Sequence, residues 1–148
     1  MKNNEPMNIN EKLMNANEFK KRLVKLCLRS GLSDFPKAAM DQHVLLKSVM
    51  LTLGETAVFT EKEINAKLKH WVDHIGTFQL LDHVTLRRRL VDAGYVSRSS
   101  NGATYQIAES GMGVEGFETA VNHLNPTQIL TEARAEIERR KQAYLTKQ

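Results

Sequence analysis

Apolar residues recur at helical spacing in most of the chain, with one exception between residues 95 and 107. From about Asn15 to Arg29, Phe19, Leu23 and Leu26 fall on one face of a predicted helix. A second, strongly apolar helix is predicted from about Ala38 to Leu53, and Gly54 ends it. Val58-Phe59 is too short for more than a small edge strand.

Two further helices follow, and each begins at a recognisable cap. Thr60-Glu61-Lys62-Glu63 is a capping box that opens a helix reaching about Trp71. Asp82 caps the next helix, which runs to about Ala93 and is closed by Gly94. The residues between these helices, 72–81, give no firm prediction.

The exception is a predicted pair of strands, Tyr95–Arg98 and Ala103–Ile107. They are joined by Ser99-Ser100-Asn101-Gly102, and Asn-Gly favours a hairpin in which both central residues take positive φ. The order helix, helix, ribbon predicts a mainly α fold with a small antiparallel β ribbon. We interpret it as a winged helix-turn-helix flanked by N- and C-terminal helices.

With this winged-helix domain at its centre, the chain divides into four parts. They are an N-terminal basic arm and helix (1–31, with residues 1–10 loose), the winged-helix domain (32–107), a linker with a short helix (108–125) and a C-terminal amphipathic helix (126–148). Asn125-Pro126 opens the last helix. Its apolar stripe is Ile129, Leu130, Ala133, Ile137 and Tyr144. We expect this helix either to lie on the domain or to pair with a second copy, giving a homodimer through the terminal helices.

Charge and composition narrow the possible partners. The formal net charge is +4, and basic residues outnumber acidic ones in residues 1–30, 82–105 and 132–148. A polyanion would therefore meet one face of the molecule. The N-terminal lysines suit either a solvated docking helix or an arm that contacts phosphates.

No apolar run is long enough for a signal peptide or a membrane span, and Cys27 is the only cysteine. We expect a cytoplasmic protein, with Cys27 in the core.

The helix from Asp82 to Ala93 carries Arg87, Arg88 and Arg89, which a rotation of about 100° per residue separates. Arg88 lies opposite the buried leucines and is the candidate for bidentate donation to guanine. Arg89 is expected at a phosphate, and Arg87 is expected to be structural, paired with a carboxylate. The full set of predicted DNA-contacting residues is Arg88, Thr85, Arg89, Arg87, His83, Arg98, Asn101, Lys62 and Thr60.

The last four of these lie outside the arginine helix. Arg98 and Asn101, on the ribbon, are predicted to enter a minor groove or to lie along phosphates. Thr60 and Lys62 are predicted to contact phosphate because they stand at a helix N-terminus.

Four sequence blocks in order carry a family resemblance: Leu32–Lys37, Phe59–Asn65, Thr85–Asp92 and the Gly-x-x-Tyr of Gly102–Tyr105. They resemble the bacterial family called domain of unknown function 2087, over about residues 32–107. The resemblance implies a transcription-regulator-like module and supplies no catalytic residue. Where a carboxylate commonly follows the paired arginines of the family motif, this chain has Arg89 and is more basic.

Two other classes of function remain as alternatives, an enzyme with a metal site and a module for protein contacts. His70 and His74 stand four residues apart, a spacing that can bind a metal on one helix face, but no third ligand is in register. We therefore expect no metal, no cofactor and no catalytic residue. A winged helix used only for protein contacts or dimerisation, without DNA, is the main alternative to double-stranded DNA binding.

Overall fold

The computed structural model describes residues 13–108 and 116–147, and in these ranges the chain is mainly helical with one small antiparallel sheet, as the sequence predicts. None of the helices in these ranges is long and apolar enough to cross a membrane. In chain order the elements are α1 (Ala16–Val24) with a following π-helical turn (Lys25–Arg29), α2 (Ala39–Leu53), β1 (Val58–Thr60), α3 (Glu61–His74), α4 (His83–Asp92), β2 (Val96–Arg98), β3 (Thr104–Ile107), a short 3-10 helix (Thr119–His123) and α5 (Pro126–Thr146).

The sheet has three strands in the order β1–β3–β2, and both pairings are antiparallel. Val58-Phe59 therefore does belong to an edge strand, and Phe59 lies opposite Tyr105. On the other side of β3, Arg98 lies opposite the same tyrosine. β1 pairs with β3 from Gln106 to Thr104, so the ribbon of β2 and β3 is held along most of its second strand by the strand that leads into α3.

The turn of the ribbon corrects one prediction. Gly102 has a φ of +76°, but no residue other than glycine has positive φ in the described ranges, so Asn101 does not take the conformation expected of Asn-Gly. The Asn101 carboxamide oxygen instead accepts hydrogen bonds from the Ala103 N–H and the Ser99 hydroxyl. This side-chain turn closes the loop without left-handed backbone at the asparagine.

Local capping signals act where the sequence places them. The Thr60 hydroxyl accepts from the Glu63 N–H at 3.1 Å, and the Glu63 carboxylate accepts from the Thr60 N–H at 2.9 Å. Asp82 caps α4, and Asn125 caps α5 immediately before its N-terminal proline. Each cap satisfies backbone donors that the first helical turn leaves without a partner.

The connection that gave no prediction, residues 72–81, consists of the end of α3 and a loop with buried apolar side chains. α3 continues three residues beyond Trp71, to His74. Ile75, Phe78 and Leu81 in the loop are all buried, and the backbone of Gly76 lies against the Trp71 indole. The connection therefore belongs to the core and fixes where α4 begins relative to α3.

The N-terminal helix joins the same core. Phe19 and Leu23 are fully buried, Leu26 is nearly so, and Phe19 contacts Phe117 edge-to-face at 5.6 Å between ring centroids. Cys27 is half-buried against this core, and desolvation raises the pKa of its thiol to about 12. The expectation of loose structure at residues 1–10 lies outside the described residues.

The apolar stripe of α5 is buried only over the first turns of the helix. Ile129 and Leu130 are buried, Ala133 and Ile137 are half-buried, and Tyr144 is 65% exposed. Of the predicted linker, residues 109–115 lie outside the described residues, and the short helix is the 3-10 helix. The apolar stripe is thus covered at its start and open at its end.

Candidate nucleic-acid interface

α4 begins at the Asp82 cap, and the helical spacing of its residues gives it one apolar face and one polar face. The Asp82 carboxylate accepts from the Thr85 N–H at 2.8 Å, and these local hydrogen bonds lower the pKa of Asp82. Leu86 and Leu90 are fully buried beneath the helix. Arg88, on the opposite side, is exposed to solvent.

Arg87 is held by the protein. Its guanidinium donates to the Asn65 Oδ1 at 2.6 Å and lies 3.9 Å from the Glu61 carboxylate, both on α3. The same group lies 5.4 Å from the centroid of the buried Tyr105 ring. Only 19% of the side chain is exposed, so Arg87 ties α4 to α3 and to β3. Its close partner is the Asn65 amide rather than the carboxylate that the sequence suggested.

Arg89 is also engaged with protein, in a way the sequence does not reveal. Its guanidinium lies 4.6 Å from the centroid of the Phe35 ring, a cation–π distance. The Nε atom is buried and has no hydrogen-bond partner among the described residues. Packing on Phe35 limits the reach of this side chain, and its phosphate contact stays a prediction.

A cleft between α4 and the ribbon is lined by three arginines, Arg87, Arg88 and Arg98. Asp92 and the buried Tyr105 also line it. Arg98 leans over Tyr105 at 6.0 Å, and its guanidinium lies beside Gly102, where a Cβ would come within 2.5 Å of Nη2. The tyrosine ring thus lies against one guanidinium from the helix and another from the ribbon.

The other predicted residues are less closely grouped. Thr85 and His83 are half-buried on α4, and Lys62 is exposed in the first turn of α3. Thr60 is exposed, but its hydroxyl already caps α3. Asn101 is exposed at the ribbon turn with its oxygen engaged in the turn, so only its NH₂ group is available to a partner.

Asn65 and Phe35 are the residues at this surface that the sequence prediction lacked. They position Arg87 and Arg89 from 22 and 54 positions away along the chain, and no spacing rule connects them. Only the tertiary packing of α3 and of the loop before α2 shows these contacts.

The two histidines considered for a metal are exposed on α3. The His70 and His74 rings lie 4.7 Å apart between centroids. Within residues 13–108 and 116–147 no group of three or more His, Cys, Asp or Glu side chains is placed to hold a metal ion. The arrangement provides two solvated imidazoles.

One comparison with known proteins gives a match. A family model described as "Uncharacterized protein conserved in bacteria (DUF2087)" matches residues 31–107, just over half of the sequence. No curated protein and no solved structure matches the chain. The matched region begins just before α2 and ends with β3, so it contains α2 to α4 and the whole sheet.

Proposed function

This chain belongs to the bacterial DUF2087 family, whose description assigns no activity, and we propose from its own geometry that it binds double-stranded DNA in transcription control. In this proposal α4 reads the major groove and the ribbon of residues 95–107 acts as a wing. The terminal helices pair two copies into a homodimer.

The order of the elements supports the proposal. α2, β1, α3 and α4 are followed by a two-stranded ribbon whose second strand pairs with β1. In helix-turn-helix proteins the second helix of the pair enters the major groove while the first crosses the backbone. α4 is that second helix here, and its outer face carries the exposed Arg88.

The cleft between α4 and the ribbon is the observation that carries the proposal. Arg88 and Arg98 come from different elements and line the same cleft, and both are exposed. A guanidinium can donate twice to guanine O6 and N7, and it also binds phosphate through two parallel hydrogen bonds. We assign Arg88 to base contact and Arg98 to the wing contact with the groove or its phosphates.

The remaining predicted residues would position the complex. Thr85 lies one turn before Arg88 and suits a thymine methyl or a phosphate. Lys62, at the start of α3, and His83, at the start of α4, suit phosphates near helix N-termini. Arg87, which is held by Asn65, would act by orienting α4.

The test is binding of the full-length protein to labelled duplex fragments from the region around its own gene, at two salt concentrations. We expect wild type to bind and added salt to weaken binding, because counterions are released from the phosphates. Arg88→Ala should lose about 1–3 kcal/mol of binding free energy while remaining folded by circular dichroism. Arg140→Ala is the matched control, since it removes the same charge from an exposed position on α5.

Two results would reject DNA binding through α4. One is that no fragment binds at low salt. The other is that Arg88→Ala binds as well as wild type, or no worse than Arg140→Ala.

A protein-contact module is the second candidate, and one observation favours it. Tyr144 and Leu145 are 65% and 52% exposed at the end of α5, an apolar pair that a partner helix would cover. Apolar pairing does not weaken with added salt, whereas phosphate binding does. A salt-insensitive partner and no DNA binding would favour this candidate.

A further inference from the structure

One lysine is buried in the middle of the core helix. Lys47 is 4% exposed and stands on α2 among buried apolar residues, including Leu46 and Val49. Its ammonium donates to the Oδ1 of Asn122 in the 3-10 helix at 2.6 Å. No carboxylate within residues 13–108 and 116–147 forms an ion pair with it.

A cavity opens beside this lysine. It has a volume of about 380 Å³, within the usual range for small-molecule sites. Met50 and Leu51 of α2 and Ile107 of β3 are among its apolar lining residues, and Tyr95 and Asn122 are among its polar ones. The Tyr95 hydroxyl is already engaged, 2.8 Å from the Nδ1 of His43.

The chemistry of the cavity selects a class of ligand. An ammonium has three donors, and the neutral amide of Asn122 accepts one of them. Removing an ammonium from water without an opposite charge is costly, and desolvation lowers the pKa of Lys47 accordingly. A bound anion would supply the opposite charge and accept the remaining donors.

Two other features restrict the anion. The apolar wall suits a hydrocarbon or aromatic body, which it would remove from water. Glu55 also lines the cavity, and its carboxylate repels an anion in proportion to the charge of that anion, so a ligand with one negative charge is favoured over a ligand with two. We propose that this cavity binds a small monocarboxylate with an apolar body, with the carboxylate paired to Lys47.

The position of the cavity gives the ligand a route to the ribbon. Tyr95 comes directly before β2 and Ile107 ends β3, so a ligand in the cavity would lie at the base of the ribbon. If the ribbon contacts DNA, ligand binding would change DNA affinity. This consequence rests on the proposed function, whereas the binding of the ligand does not.

The test uses full-length protein without DNA. Octanoate and 1-octanol, which share a chain length and differ in charge, are titrated into wild type by calorimetry. We expect octanoate to bind about tenfold or more tightly than 1-octanol, the difference that a charge-assisted hydrogen bond makes. Lys47→Met should remove this preference and Lys47→Arg should retain part of it. Lys69→Met, at an exposed position on α3, should behave as wild type.

The comparison of octanoate with 1-octanol on wild type tests the proposal even if a Lys47 variant fails to fold. Equal affinity for octanoate and 1-octanol overturns the proposal. So does the absence of binding by octanoate, phenylacetate and benzoate up to about 10 mM, a concentration that would reveal even weak sites. A folded Lys47→Met that keeps the full preference for octanoate overturns the role of this lysine. Because no DNA is present, failure here leaves the DNA-binding proposal standing, and failure of DNA binding leaves this one standing.

Discussion

The three consecutive arginines of α4 have three different environments although their side chains are chemically identical. Arg87 donates to Asn65 and packs over Tyr105, Arg89 stacks on Phe35, and Arg88 is exposed. A guanidinium contributes to stability when its hydrogen bonds and apolar stem are enclosed by protein, and little when both are solvated. The sequence Arg-Arg-Arg therefore combines two positions used for packing with one that is free to contact a partner.

Replacing Arg87 and Arg88 one at a time tests this difference. Arg87→Ala should lower the free energy of unfolding by about 1–3 kcal/mol, because it removes the Asn65 hydrogen bond and the packing on Tyr105. Arg88→Ala should change it by about 0.5 kcal/mol or less, as exposed substitutions usually do. Urea denaturation followed by circular dichroism measures both. Equal losses in the two variants would show that the Arg87 contacts contribute nothing specific.

Among the secondary-structure elements, the packing of the loop between α3 and α4 depends on one glycine, Gly76. Gly76 follows the last turn of α3, and its N–H donates to the Trp71 carbonyl at 2.9 Å. A Cβ at this position would overlap the six-membered ring of Trp71, which is fully buried and so cannot move aside easily. The indole Nε1–H of Trp71 also donates to the Ser48 hydroxyl on α2 at 2.9 Å, which fixes the indole further.

Gly76→Ala should therefore destabilise the protein at the upper end of the ~1–3 kcal/mol that overpacking usually costs. Near-ultraviolet circular dichroism should show a changed Trp71 environment. Gly116→Ala is the control, because a Cβ there has no atom of residues 13–108 or 116–147 within 4 Å and Gly116 does not have positive φ. A Gly76→Ala protein as stable as this control would contradict the close packing of Gly76 on the indole.

The elements that the sequence predicts well are those fixed by neighbouring residues. The capping box at Thr60 and Glu63 and the caps at Asp82 and Asn125 involve atoms three residues apart, so their pattern is visible in the chain. The two strands on either side of Ser99-Ser100-Asn101-Gly102 are also close in the chain, so their pairing can be predicted from the turn between them. Helical rotation also separates Arg88 from the buried leucines of α4.

What the sequence does not predict depends on contacts between distant residues. The stacking of Arg89 on Phe35 and the hydrogen bond from Lys47 to Asn122 join residues 54 and 75 positions apart. The length of α3 is underestimated because its last turn is set by packing of the following loop. The Asn101 turn differs because its side chain offers the backbone a closure that competes with left-handed φ.

Over the whole molecule, one apolar cluster joins the terminal helices to the central part. Phe19 and Leu23 of α1 and Ile129 and Leu130 of α5 belong to the same cluster as Trp71 and the leucines of α4. α5 spans 21 residues, or about 30 Å at the helical rise of about 1.5 Å per residue. Its buried residues lie only in its first turns, and residues 141–147 are all exposed. The second half of α5 therefore contributes little to the fold of one copy.

The exposed end of α5 leads to a prediction about assembly. If two copies pair through their terminal helices, Tyr144 and Leu145 become buried, and each apolar side chain of this size contributes about 1.5–3 kcal/mol. Sedimentation velocity should then show a dimer for wild type and a shift toward monomer for Tyr144→Ala with Leu145→Ala. The helix content should not change, because both side chains are exposed in the single chain.

The double variant Lys141→Ala with Gln142→Ala, at two exposed polar positions of the same helix, serves as the control and should stay dimeric. Added salt should leave the wild-type dimer intact, since the contact is apolar. A wild-type monomer at high protein concentration, or a dimer that survives loss of both apolar side chains, would contradict pairing through this end of α5. In the second case, the contact would have to be sought on α1 or on the exposed face of the first half of α5.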